Sequence, residues 1–147
     1  MISYKTKIKD IPNTPLPFGY TVLKITNQNV HKWPSLFPLC IELFNSEKYW
    51  DSMWTIEDAL SRINAGVSFY VMFKIKDTKS PIAYLWIDND WLHNVFVHSS
   101  KPKNSSTSFI QQCIHMQDTS KKYIRWETDE WNTAGIKLWK KVGAKKL

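Results

Sequence analysis

The chain has 147 residues, a formal net charge of +7 and a sequence pI near 9.4; with 43% hydrophobic and 14% aromatic residues it is too apolar to be disordered. Its length suits one domain with a sizeable core. No apolar run is long enough for a membrane span, and the first ten residues are polar and lysine-bearing, unlike a signal peptide or anchor, so a soluble cytosolic protein is expected.

Residues 1–19 carry Pro12, Pro15 and Pro17 and read as an irregular or extended arm ending in a turn, ahead of a domain over residues 20–147. Residues 20–25 are short and β-branched and predict a first strand. Pro34 stands where a helix can begin, with Leu36, Phe37, Cys40, Ile41 and Phe44 on one face. A second helix starts at Thr55, an N-cap with Asp58 three residues on, lines one side with Ile56, Ala59, Leu60 and Ile63, and is closed by Gly66.

Three strands follow. Residues 68–75 are almost continuously apolar, as in a strand covered on both faces. A turn at 77–80 leads to a strand over 81–87, and Asp88-Asn89-Asp90 turns into a third over 91–97. Such short connections predict an antiparallel meander. A polar stretch, 98–107, feeds a helix bearing Phe109, Ile110, Cys113 and Ile114, whose end is marked by Lys121-Lys122. A strand over 123–128 and a last helix from Asn132, with Ala134, Leu138, Trp139 and Val142 inward and Gly143 as cap, complete the chain. The order predicts an α/β domain with a mixed central sheet flanked by helices.

Cys40 and Cys113 sit in different apolar helical patterns and read as two buried thiols rather than a disulfide. The scattered His31, His93, His98 and His115 form no cluster with metal-ligand spacing, so no metal is expected. The positive charge favours anionic partners, either nucleic acid or the phosphates of a nucleotide cofactor. It is almost all lysine, with Arg62 and Arg125 the only arginines. Nucleic-acid readers lean on arginine, so that class is disfavoured.

Residues 91–98, Trp-Leu-His-Asn-Val-Phe-Val-His, followed by a polar loop and a helix, form the first half of a recognisable pattern. The second half is Asn132, Ala134, Trp139, Lys140 or Lys141, and Gly143, in register over residues 132–144. Together, over roughly residues 68–144, they resemble the acetyl-CoA-binding core of the GNAT N-acetyltransferases. The resemblance implies an acyl-CoA N-acyltransferase fold that lacks the usual last strands, acetyl-CoA or another acyl-CoA as cofactor, and an amine of a small molecule or peptide as acceptor. It implies a cofactor site made by Phe96, Val97, Lys101, Lys103, Asn104, Ser105, Ser106, Thr107, Asn132 and Trp139. A loop entering a helix offers free N–H groups and a positive dipole end to a diphosphate.

The departures from that pattern are specific. Pro102 stands where the family has an arginine, and Lys103, Ser105 and Thr107 stand at its glycine positions. Trp139 replaces a tyrosine that serves as general acid in the family, and an indole N–H cannot give up a proton to a thiolate; either the thiolate leaves without that acid, or Tyr123, Tyr84 or another group substitutes, or the chain is not a catalyst. Candidates for the base are Asp90, with Asp88 beside it, His93 and Glu127. Against these stand a plain Asp-Asn-Asp turn and a hydrogen-bonded core histidine. Asn132 is either a cofactor contact, a helix cap, or both. Trp50 and Trp54, with Trp33 and Tyr49, fall where the family lines its acceptor pocket, or else pack a core. Where the family adds two strands after the last helix, four residues remain. The sheet edge is then open, filled by the N-terminal arm, or filled by a partner chain as in a homodimer. An enzyme and a GNAT-like binding or assembly module without chemistry are both compatible with these residues.

Overall fold

A computed structural model describes residues 1–46, 55–98, 101–118 and 120–147, apart from the side chains of Phe44, Asn94 and Phe96. The strands are β1 (Ile2–Lys7), β2 (Tyr20–Ile25), β3 (Ser68–Lys74), β4 (Ala83–Asp88), β5 (Trp91–Val97) and β6 (Tyr123–Thr128). The helices are α1 (Leu36–Asn45) and α2 (Ile56–Asn64), between β2 and β3, α3 (Ser105–His115), between β5 and β6, and α4 (Thr133–Val142). One mixed sheet runs in the order β1-β6-β5-β4-β3-β2. From β2 to β5 the neighbours are antiparallel, so the expected meander is present. β5 and β6 are parallel, as their crossover through α3 requires.

The apolar runs of β3 and β4 are explained by two cores, one on each face. Phe69, Val71 and Phe73 of β3, with Tyr84 and Trp86 of β4, pack under α1 and α2 against Phe37, Cys40, Ala59 and Ile63. Tyr70 and Met72, with Ala83, Leu85 and Ile87, face the other way, toward Phe109, Ile110 and Ile114 of α3 and Trp139 and Val142 of α4. Strand periodicity sends alternate residues to opposite faces, and here both faces are apolar. The two thiols are buried in different cores, Cys40 in α1 and Cys113 in α3, so they do not meet. Burial pushes the Cys40 thiol up to about 12, which makes it a poor nucleophile.

The Thr55 cap is present as read. Its hydroxyl accepts from the Asp58 amide at 3.1 Å while the Asp58 carboxylate accepts from the Thr55 amide at 3.3 Å. α3 stops at His115, short of Lys121-Lys122, because the chain turns at Asp118, whose carboxylate accepts from the Ser120 amide and whose carbonyl accepts from Lys121.

The first residues differ most from the reading of an arm. Ile2–Lys7 is a strand paired antiparallel to β6 from Ile2 opposite Thr128 to Lys7 opposite Tyr123. Its even residues, Tyr4 and Thr6, are buried, and Tyr4 stacks on Trp126 with ring centroids 5.6 Å apart. The sheet edge beyond β6 is thus filled from within the chain. The last residues run along the outer side of β1, with the Lys5 amide donating to Lys145 and the Leu147 amide to Ser3.

Candidate active site

Two features of β5 shape the region where it meets β6. Between Tyr84 opposite Phe96 and Trp86 opposite His93, β5 contains one residue more than β4, a bulge. The extra residue reverses the strand's parity: Leu92 lies in the α3–α4 core, and beyond the bulge Val95 and Val97 pack against that same core. β5 is also aligned with β6 only at its start, where Trp91 stands opposite Arg125. Past that pair the two parallel strands diverge.

A clasp holds the closed end of this divergence. Arg125 donates to both carboxylate oxygens of Asp90, Nε to Oδ2 at 2.8 Å and Nη2 to Oδ1 at 2.7 Å, and its amide donates to the Asp90 carbonyl at 2.8 Å. Its guanidinium lies 4.5 Å from the centre of the Trp91 ring. The hydrogen bonds from Arg125 hold the Asp90 carboxyl below its ordinary value.

The open end is a cleft of about 570 Å³. Trp91, His93, Val95 and Val97 line it from β5, and Trp126, Glu127 and Thr128 from β6. Asn132, Gly135, Leu138 and Trp139 contribute from the start and inner face of α4, and Lys101 and Ser106 from the loop before α3 and its first turn. The cleft therefore joins a strand splay to a helix N-terminus.

That N-terminus is prepared differently from those of α2 and α4. α2 is closed by Thr55 and α4 by Asn132, whose Oδ1 accepts from the Gly135 amide at 3.0 Å. A Cβ at Gly135 would come within 2.7 Å of Asn132 Nδ2, so glycine leaves room for that cap. The residue before α3, Asn104, gives no side-chain cap, and it enters the helix in the left-handed region at φ 63°. Asn tolerates this conformation better than other residues with a Cβ. Among the described residues the loop takes a left-handed step at Asn104 alone, while Lys103, Ser105 and Thr107, at the glycine positions, keep negative φ. The Ser105 hydroxyl is buried without a hydrogen-bond partner among the described residues, and so is the indole Nε1 of Trp126 in the cleft wall.

The structure brings His93 and Glu127 to the two strands of the cleft, while Asp90 lies at its clasped end, in an ion pair. His93 is exposed and stacks beside Trp91, so it is not a core histidine; the bulge that follows it leaves it on the cleft wall. Asn132 is a helix cap that also lines the cleft. Trp139 lines it with its ring, but its Nε1 donates to the Thr128 hydroxyl. Val97, Lys101 and Ser106 line it; Lys103, Asn104 and Thr107 belong to the adjoining loop and first turn. Phe96 stands opposite Tyr84 in the β4–β5 ladder. Trp50 and Trp54 lie outside the described residues. Sequence reading missed Trp126, Thr128 and Asp129, and the arginine that occupies Asp90; the buried alternation of Ile124, Trp126 and Thr128 is the signal that points to the first two.

Comparison with known proteins gives a consistent picture of the fold. No protein-family model matches the chain, and no curated protein matches it in sequence. Solved structures do match. A GCN5-related N-acetyltransferase from Sphaerobacter thermophilus superposes with a TM-score of 0.69 at 12% identity, over 99% of this chain and 48% of that one. A tandem GNAT protein from the clavulanic acid biosynthesis pathway gives 0.60 at 9% identity, over 99% and 49%. An aminoglycoside acetyltransferase from an uncultured soil metagenomic sample, in complex with sisomicin, gives 0.56 at 10% identity, over 84% and 87%. The chain spans about half the length of the first two. Its fold is GNAT-like, a six-stranded mixed sheet with four helices.

Proposed function

We propose that this chain is an acetyl-CoA-dependent N-acetyltransferase that works in the cytoplasm on an amine of a small molecule or peptide. The observation that carries the reading is the β5–β6 splay opening into a cleft that ends on the uncapped first turn of α3. The fit of the residues to a diphosphate is local and physical. The first amides of a helix without a side-chain cap have no intrahelical acceptor and sit at the positive end of the dipole. Lys101 adds charge there, and Ser106, which lines the cleft, adds a hydroxyl donor. The diphosphate would be held by Lys101, Ser106 and the first-turn amides beyond that of Ser105, which donates to the Pro102 carbonyl, and the pantetheine arm by Val95, Val97, Asn132 and Leu138. When bound, acetyl-CoA supplies an activated thioester.

The remaining work belongs to the protein. An amine is a nucleophile only when neutral, so a group in the cleft must take up a proton. His93 and Glu127 are exposed on the cleft strands and are the acceptors this reading assigns. Asp90 is spent on Arg125. The Trp126 N–H has no hydrogen-bond partner among the described residues and lies in the wall, suited to an oxygen of the ligand. Trp50 and Trp54 are proposed to shape the acceptor side. A second reading, a binding module without chemistry, is favoured by one observation: the Trp139 N–H, in the place of the usual acid, is committed to Thr128.

Calorimetric titration with acetyl-CoA, followed by an acetylation assay on a panel of primary amines, separates these readings. The enzyme reading expects one-to-one binding that Ser106→Glu weakens by about tenfold or more through repulsion at the helix start. It also expects turnover that falls about 10²–10⁴-fold when the working base, His93 or Glu127, is replaced by alanine. Binding without turnover on any amine leaves the module, and no binding at millimolar concentration removes the enzyme reading and leaves a module whose function lies in its partners.

A further inference from the structure

The cavity at the opposite end of β6, about 680 Å³, is comparable in size to the cleft and is not used by the proposed reaction. The end of β1 and the turn after it supply Lys7, Ile8 and Lys9; the start of β6 and the approach to it supply Lys121, Lys122 and Tyr123. An 11-residue helix spans about 16 Å, and α3 has its first turn at the cleft and its last at this cavity, so the two sites are separate.

The walls are fixed by the backbone. The Ile8 amide donates to the Lys122 carbonyl at 2.9 Å, and the His115 Nε2 donates to the Ile11 carbonyl at 2.7 Å. Four lysines face one carboxylate, Asp118. Lys121 holds Asn89, but Lys7, Lys9 and Lys122 have no acidic partner within 4.0 Å among the described residues. Lys121 and Lys122 come from the approach to β6, beyond the last turn of α3, whereas Lys7 and Lys9 come from the end of β1 and the turn after it, and all four converge on the same hollow. Like charges brought together without counter-charges raise the local potential and concentrate anions.

Size and lining narrow the ligand. Inorganic phosphate fills only a small part of 680 Å³, whereas pockets of about 300–1,000 Å³ hold molecules with a substantial organic body. Ile8 and the partly exposed Tyr123 ring provide an apolar wall beside the lysines, and Lys5 lies 4.8 Å from the centre of that ring. We propose that this cavity is a second anion site that binds a nucleoside di- or triphosphate, its phosphates on Lys7, Lys9 and Lys122 and its base against Tyr123.

The test is titration of the whole chain with ATP, inorganic tripolyphosphate and a single-stranded oligonucleotide, with amide chemical shifts recorded. ATP is expected to bind one-to-one, to shift Ile8, Lys9 and Tyr123, and to be weakened about tenfold or more by the double variant Lys9→Glu, Lys122→Glu. Both residues are exposed, so folding is retained, which circular dichroism checks. Lys101→Glu with Ser106→Glu, in the cleft, is expected to leave ATP affinity within about twofold, since charges that far apart are largely screened. The proposal is overturned if ATP does not bind, if only the cleft variant weakens it, or if tripolyphosphate binds as tightly as ATP. Tighter binding of the oligonucleotide that the cavity variant abolishes also overturns it, in favour of a nucleic-acid surface.

Discussion

The two halves of the sheet solve different problems. β3 and β4 are covered on both faces, and their aromatic residues lock together: the Phe69 and Trp86 rings lie 4.2 Å apart, and Phe69 also meets Tyr84 and Phe37. In β6 and β1, by contrast, only the even residues are buried; Lys5, Lys7, Tyr123 and Glu127 stand exposed on the other face. β5 joins the halves, tightly paired to β4 and touching β6 only at its start. One half is a rigid wall, and the other departs from it to leave space. The cleft, the clasp and the basic cavity all belong to the half that is packed on one side.

The largest expected effect tests whether stability resides in the wall. Phe69→Ala removes a fully buried ring from the centre of the α1–α2 core and is expected to destabilise the chain by about 3–5 kcal/mol. Glu127→Ala, on the exposed face of β6, is expected to stay within about 0.5 kcal/mol. Denaturant unfolding measures both. Comparable losses would mean that the open half is held as tightly as the wall and would end the contrast.

A smaller effect sharpens the comparison at the first turn of α3. Asn104→Ala places a less tolerant residue at φ 63° and is expected to cost about 1–2 kcal/mol, whereas Asn104→Gly is expected to be neutral or stabilising. If the left-handed step presents the amides for a diphosphate, the glycine variant retains acetyl-CoA affinity and the alanine variant loses it in proportion to its strain. Thermal unfolding with and without acetyl-CoA separates the two consequences.

What was legible in the sequence follows the same division. The strands of the meander, the Thr55 cap and the two-faced burial of β3 were readable because they depend on local pattern. The alternation of Ile2, Tyr4 and Thr6 with Ser3, Lys5 and Lys7 is also a strand signal, obscured by the prolines after it. The bulge in β5 was not readable, since no local residue type requires it, and it decides where His93 lies. The partner of Asp90 was hidden too, because Arg125 is 35 residues away and meets it only once the crossover is built. The cleft residues on α4 and in the loop before α3 were reached through family resemblance rather than composition. Trp126 and Thr128 were missed because their place depends on the splay itself.

The smallest expected effect concerns the clasp. Asp90 and Arg125 are both near the surface, so their pair has a modest influence on stability, but it sits where β5 and β6 separate. Because Arg125 lowers the Asp90 value in the folded state, the pair's contribution is complete above the unfolded carboxylate value of about 3.9 and is lost as pH falls through the lower folded value. The difference in melting temperature between the wild type and Asp90→Asn is therefore expected to be constant from about pH 7 to 5 and to shrink below about pH 4. Asp118, whose carboxyl is also held low, by the Ser120 amide, titrates in both proteins and cancels in the difference. A difference that persists unchanged to about pH 2 would show that the Asp90 charge does not hold the strands together. The backbone bond from the Arg125 amide to the Asp90 carbonyl would then be what closes the end of the cleft.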